Sequence, residues 1–345
     1  MKLKLSIILL MAMQYSKASV HNVSNLPGTG IAFNNVNSAI AAASPGDTVY
    51  VHGSTTIYPD FTIDKSIVIL GTGGFPQTEF GLKSRFNRVT ISSNTSNIKI
   101  LGISIVDYHL DFYNVSNVHH VLIANNFFEA SSYGNLRFEN MSNSSDIRVF
   151  NNVFAGGGTN KVLFGNNSNC SNIMVDHNII NGCIQSLNIL NAVVQNNIFY
   201  NPSGANAFFG SNSLMIVSNN IFFGADPIFN NTTSVYNNNI SYSSSTVLTA
   251  MGGTNLDNMN PQLVNVPTTG NYSIAHNFNL QAGSPCIAAG ADGLDIGYYG
   301  GTETLSPLGE PLNMPVIRLM NIQNTLVPQN GNVNVKVRST KSRGN

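Results

Sequence analysis

The sequence predicts an all-β solenoid, a parallel β-helix closed at its start by a short capping helix. Three observations carry this. A short phrase recurs as Asn125-Asn126-Phe127-Phe128, Asn151-Asn152-Val153-Phe154, His177-Asn178-Ile179-Ile180, Asn196-Asn197-Ile198-Phe199, Asn219-Asn220-Ile221-Phe222 and Asn238-Asn239-Ile240. The second Asn falls at 126, 152, 178, 197, 220 and 239, in steps of 26, 26, 19, 23 and 19 residues, and repeats of this length mark solenoids. Such a coil is too short for a strand plus a full crossover helix, and it fits about three short strands and three turns. Finally, each phrase follows a short alternating run rich in β-branched residues, such as Ile173-Met174-Val175-Asp176, which reads as strand. Ile173 and Val175 are expected to point inward, and Met174 and Asp176 outward.

Residues 1–18 read as a secretory signal peptide. Lys2 and Lys4 precede an apolar run at 5–13, too short to span a bilayer, and Ser16-Lys17-Ala18 sets small residues before a cut at Ser19. No later stretch is long and apolar enough for a membrane helix. Residues 20–30 read as a loop. Residues 33–43 (FNNVNSAIAAA) have helical character and are expected to cap the open end of the tube, which otherwise exposes core and strand edges. A turn at Ser44-Pro45-Gly46-Asp47 leads into the first strands. Leu70-Gly71 and Leu101-Gly102 read as early members of the phrase, with Gly at the bend that Asn occupies later. Asn at one place in successive coils also allows stacked amide ladders. Residues 72–87 form an insertion expected to make a side loop. Residues 302–315 read as a linker, and 316–338 as a terminal strand pair ending in a basic tip at Lys336, Arg338, Lys341 and Arg343.

Composition narrows the partners. Charged residues are 9% of the chain and the formal net charge is zero, which disfavours nucleic acid. An Asn-, Ser- and Thr-rich surface with little charge suits polysaccharide. The three cysteines, Cys170, Cys183 and Cys286, leave at least one unpaired within the monomer.

The segment at 39–51 (AIAAASPGDTVYV), followed by Ile67-Val68-Ile69-Leu70-Gly71, resembles the entry of secreted right-handed parallel β-helix proteins of the pectate-lyase-like superfamily. The Asn-Asn-Ile-Phe repeats resemble the coils of that superfamily. Asn260-Pro261-Gln262-Leu263-Val264, Phe278-Asn279-Leu280, Gly283-Ser284-Pro285-Cys286-Ile287 and Asp295-Ile296-Gly297 resemble the closing module of many bacterial members. The resemblance covers about residues 33–301. It implies one right-handed β-helix over 19–301 and leaves the activity open, since the superfamily spans lyases, hydrolases, epimerases and adhesins.

A lyase of this kind needs a base, often Arg or Lys, and a means of neutralising a uronate carboxylate, commonly Ca2+ held by Asp or Glu. Arg148, Asp176 and His177 form the best strand-borne set. A 26-residue coil brings Arg148 within diagonal reach of Asp176, which reads equally as a surface ion pair. A polar set at Asp107, His109, Asp111, Tyr133, Arg137, Glu139 and Lys161 reads as a saccharide groove or calcium site, and equally as a solvated polar face, with Asp111, Asn135 and Lys161 stacked along one side. Catalytic candidates are therefore Arg148, Asp176, His177 and Lys161. Substrate-binding candidates are Asp111, Tyr133 and Arg137, and metal candidates are Asp107 and Asp111. Outward Leu122, Met174, Val193 and Ile216 form an apolar stripe, either a protein contact or a seat for the C-terminal segment. The expectation is a secreted, carbohydrate-interacting protein with no complete catalytic set. Its alternatives are a polysaccharide lyase acting on acidic polysaccharide by β-elimination, and a structural or adhesive cell-surface protein.

Overall fold

A computed structural model describes residues 18–341 apart from 76–81, 130–134, 157–159, 202–203, 212–213, 228–232, 246, 249–252, 306–314 and 323–334. Residues 1–17 of the expected signal peptide, Tyr133 and Arg343 lie outside the described residues.

The chain winds into the all-β parallel β-helix that the repeat implies. Its strands stack into three parallel sheets of 10, 8 and 7 strands, each coil contributing to successive sheets. One coil runs through His119–Ala124 in the first sheet, Phe127–Phe128 in the second and Leu136–Glu139 in the third. Neighbouring coils align in strict register, Val121 on Ile147 and Ile147 on Ile173. The alternation then sends Ile98, Val121, Ile147, Ile173 and Val194 inward, with Phe128, Phe154, Ile180, Phe199 and Phe222 meeting them from the second sheet. Phe128 and Phe154 stack with ring centroids 4.5 Å apart, as do Phe199 and Phe222 at 5.1 Å.

The Asn-Asn phrase builds the bend between the first and second sheets. Its first residue takes the left-handed conformation throughout: Asn125, Asn151, His177, Asn196, Asn219 and Asn238 have φ between 51° and 61°, which Asn tolerates better than other non-Gly residues. Its second residue is buried and forms the amide ladder. Asn126 donates to Asn152 Oδ1, Asn152 to Asn178, Asn178 to Asn197, Asn197 to Asn220 and Asn220 to Asn239, each at 3.0 Å. Asn255 adds a further rung at 3.0 Å, in a coil whose sequence lacks the phrase.

The one helix among the described residues, Val36–Ala42, is N-capped by Asn35, whose side chain accepts from Ser38 N at 2.9 Å. Val36, Ala39 and Ile40 cover the core at the tube entrance. The preceding segment differs from the expected loop. Val20–Val23 is a strand, paired parallel with Thr48–Val51 as the first member of the 10-stranded sheet. Its four residues are too few to show a period, and the pairing is supplied by a strand 28 positions away.

The outer face of the second sheet is apolar, with Phe127, Val153, Ile179, Ile198, Ile221 and Ile240 in one row. Residues 263–305 cover it and form a second core with Leu263, Phe278, Cys286, Ile296, Tyr298 and Leu305. The strand pair Leu263–Asn265 and Asn277–Leu280 is antiparallel. Tyr298 is buried here and donates to Asn151 Oδ1, so it packs against the tube rather than facing solvent. Gly297 lies against Ile221 with φ +100°, and an added Cβ would sit 2.5 Å from Ile221 Cδ1. The strap continues past residue 301. Glu303 pairs with Arg148 and Leu305 is buried, so the expected linker begins with two anchored residues. Pro315–Ile322 and Val335–Lys341 form the antiparallel pair expected near the C-terminus.

Candidate functional site

Of the three outer faces, the second sheet is sealed by the strap. The first sheet carries the Arg148 cluster and the stripe of Leu122, Met174, Val193 and Ile216. The third sheet carries an outward column set by parallel register: Thr62, Thr90, Asp111, Arg137, Leu163, Gln185 and Phe209.

On the first sheet the structure unites Arg148, Asp176 and His177. Arg148 donates Nε–H and Nη2–H to the two oxygens of Asp176 at 2.9 and 2.5 Å, and Nη2 also reaches Glu303 at 2.8 Å. His177 Nδ1 lies 3.0 Å from Asp176 Oδ2, and Nε2 lies 3.0 Å from the Gly300 carbonyl. Asp176 is 0% exposed and His177 2%. Hydrogen bonding to Asp176 holds the Arg148 guanidinium even more firmly protonated than usual. Both carboxylate oxygens and both ring nitrogens are taken, under a strap held by residues 300 and 303. This arrangement ties two coils to the strap and opens no cleft to a polymer.

Lys161 is buried at 0% exposure, and its Nζ donates to the Gly156 carbonyl. Burial lowers its pKa to about 8. The register takes Asp111 out of its expected stack with Asn135 and Lys161, which stay 26 residues apart as Leu136 and Val162 do. Asp111 pairs with Arg137, and Arg137 with Leu163. Lys161 therefore lies two positions from that column, and both Lys161 and Asn135 are inside. The third-sheet strands carry no recurring phrase, so their register was not readable from residue spacing.

Asp111 and Arg137 do come together. Arg137 donates to both Asp111 oxygens at 2.9 and 2.6 Å, and its guanidinium lies 4.3 Å from the Tyr113 ring centroid. The Arg137 guanidinium thus engages both carboxylate oxygens of Asp111. Among the described residues, no group of three or more His, Cys, Asp or Glu is placed to hold a metal ion.

Two clefts flank this column. One of about 320 Å³ is lined by Gly165, Asn166, Asn167, Ser186, Asn188, Ile189 and Ser211. The other, of about 190 Å³, is lined by Asn160, Cys183, Asn201, Ala205, Asn206 and Phe209. Phe209 is 45% exposed. Further along the same flank, Tyr108 and Tyr113 are 45% and 44% exposed, each beside an arginine. Sequence reasoning found Asp111 and Arg137 but missed Phe209, Tyr113 and the amide-lined clefts. The adjacent Phe208-Phe209 pair is the one signal that could have pointed there, because only one of two successive strand residues can face the core.

The thiols are all free: Cys183 and Cys286 are buried and Cys170 is partly so. Burial pushes Cys183 and Cys286 up to about 12, which makes them inert.

No protein-family model matches the sequence, and no curated protein does. Among solved structures, one titled "The complex structure of XylC with xylose" is similar to 64% of this chain, at 12% identity and a TM-score of 0.37. The chain covers 54% of that structure's length. A likeness of this size carries no inference about ligand or activity.

Proposed function

We propose that the protein is an exported β-helix that binds a polysaccharide along the third-sheet flank, without cleaving it. The observation carrying this reading is the exposed aromatic set, Tyr108, Tyr113 and Phe209, on the same flank as clefts lined by amides and hydroxyls. An aromatic face accepts the C–H face of a sugar ring. Amides offer donors and acceptors together, as a sugar hydroxyl does. The low charge of the chain favours neutral or weakly charged glycans over strongly anionic ones. Export rests on the Lys2, Lys4, apolar run and Ser16-Lys17-Ala18 pattern.

The test is calorimetric titration of the chain from Ser19 with a panel of neutral and acidic polysaccharides. Phe209→Ala and Tyr113→Ala should each weaken binding about tenfold, which is about 1.4 kcal/mol. Binding that survives both substitutions would refute the site. Ultraviolet absorbance from an unsaturated uronate product would replace this reading with the eliminating one.

An adhesive role is favoured by one observation. Ile216 and Val235, adjacent in register on the first sheet, are 40% and 62% exposed. Leu122 of the expected stripe packs against the second core, and Met174 is half-buried.

A further inference from the structure

The first coil holds a carboxylate exactly where a processed N-terminus would arrive; its partners define what it can bind. Ser19 N lies 2.7 Å from Asp47 Oδ1, and the Ser19 carbonyl accepts from Thr48 N at 2.9 Å. Asp47 Oδ2 accepts from Ser44 N at 2.8 Å and lies 3.0 Å from His21 Nε2. Asp47 is 5% exposed. The Ser19 N–H, then His21 and the Ser44 N–H, hold its carboxyl down at about 2. The carboxylate is therefore charged at any physiological pH and clasped mostly by neutral amides.

Residue 19 is also where the Ser16-Lys17-Ala18 pattern sets the cut. With a leader attached, Ser19 presents an amide. Hydrolysis consumes one water, breaks the Ala18–Ser19 bond and leaves a carboxylate on Ala18 and an α-amine on Ser19, protonated at neutral pH. We infer that Asp47 is the receptor for this new N-terminus: processing converts an amide hydrogen bond into an ammonium–carboxylate ion pair that locks Val20–Val23 onto the tube. The inference rests on the export reading for its cut site. The groups facing the amine are Asp47 and His21. Lys65, whose Nζ reaches the Ala43 carbonyl at 3.2 Å, is the other cation on the turn.

An opposite charge at this distance raises the pKa of an amine. The resulting stabilisation is present below the ordinary α-amine pKa and is lost as pH rises through the raised one. The experiment uses the chain from Ser19, released from an N-terminal fusion by a protease that leaves no extra residue. A second chain retains Ala18, and a third carries Asp47→Asn. Isotope-labelled methylation of the α-amine and an NMR titration give its pKa. The Ser19 chain should titrate above about 9, against about 7.7–8.0 for a free α-amine. The Ala18-retaining chain should return to the ordinary range and melt at lower temperature. An ordinary pKa in the Ser19 chain, or equal melting of the two, overturns the inference, whether or not Asp47→Asn folds. Mass spectrometry of the exported protein tests the cut separately. A start other than Ser19 overturns the cut site of the export reading and, with it, the natural role of the pair, while the titration still decides whether Asp47 binds the amine.

Discussion

Replacing Arg148 with Ala separates a lock from a catalytic base. Asp176 is fully buried, and Arg148 supplies two of its three side-chain contacts, at 2.9 and 2.5 Å. Without Arg148 the carboxylate keeps only His177 at 3.0 Å. Removing one partner of a buried pair costs about 3–5 kcal/mol, because the remaining charge is left uncompensated. Arg148 is itself about one-third exposed, so its removal admits water and places the loss near about 3 kcal/mol. Lost contact with the Phe150 ring, 4.4 Å from the guanidinium, adds about 0.5–1 kcal/mol. Glu303 is 43% exposed, so Glu303→Gln should cost no more than about 1 kcal/mol. The assay is urea unfolding followed by circular dichroism and tyrosine fluorescence, since the chain has no tryptophan; coincident curves justify a two-state fit. Limited proteolysis of residues 290–305 should quicken in Arg148→Ala alone. A loss below about 1 kcal/mol would refute the lock. Unchanged stability with abolished glycan cleavage would make Arg148 a base after all.

Other outcomes follow from the same structure. Asn178→Ala removes the acceptor of Asn152 N and Asn152 Nδ2, at 2.9 and 3.0 Å, and orphans two buried donors. The expected loss is about 2–4 kcal/mol in urea unfolding, and a loss under about 1 kcal/mol would mean the ladder relaxes around the gap. Lys161 has a depressed pKa of about 8, so the unfolded chain binds more protons between pH 8 and 10.5 and stability gains from this group as pH rises through that window. Lys161→Met should be more stable at neutral pH by up to about 3 kcal/mol and should lack the rise. Cys183, pushed up to about 12, contributes the opposite slope above pH 9, so the effect is read as the difference between the two proteins.

How much was readable from residues alone varied along the coil. The Asn-Asn phrase announced the bend, because only a residue that tolerates φ near 55° and offers a stackable amide fits there coil after coil. Arg148 and Asp176 were placed together because both sit on strands whose period could be read. Asp111 and Lys161 were misaligned by two residues, because the third-sheet turns vary in length and carry no marker. The closing segment was recognisable by resemblance, but its seat was not: Phe278, Ile296 and Tyr298 belong to no repeat, and the apolar row they cover on the second sheet resembles core in sequence.

The sequence by itself determined the tube, its coil length, its amide ladder and its capping helix, since these follow from local period and from stereochemistry repeated at each bend. Tertiary structure alone decided which outer face is open. That choice depends on where 263–305 folds back, and so on contacts such as Glu303 with Arg148, 155 residues apart, which no local pattern encodes. The same distant fold-back closed the Arg148 cluster and left Phe209 and Tyr113 on the exposed flank.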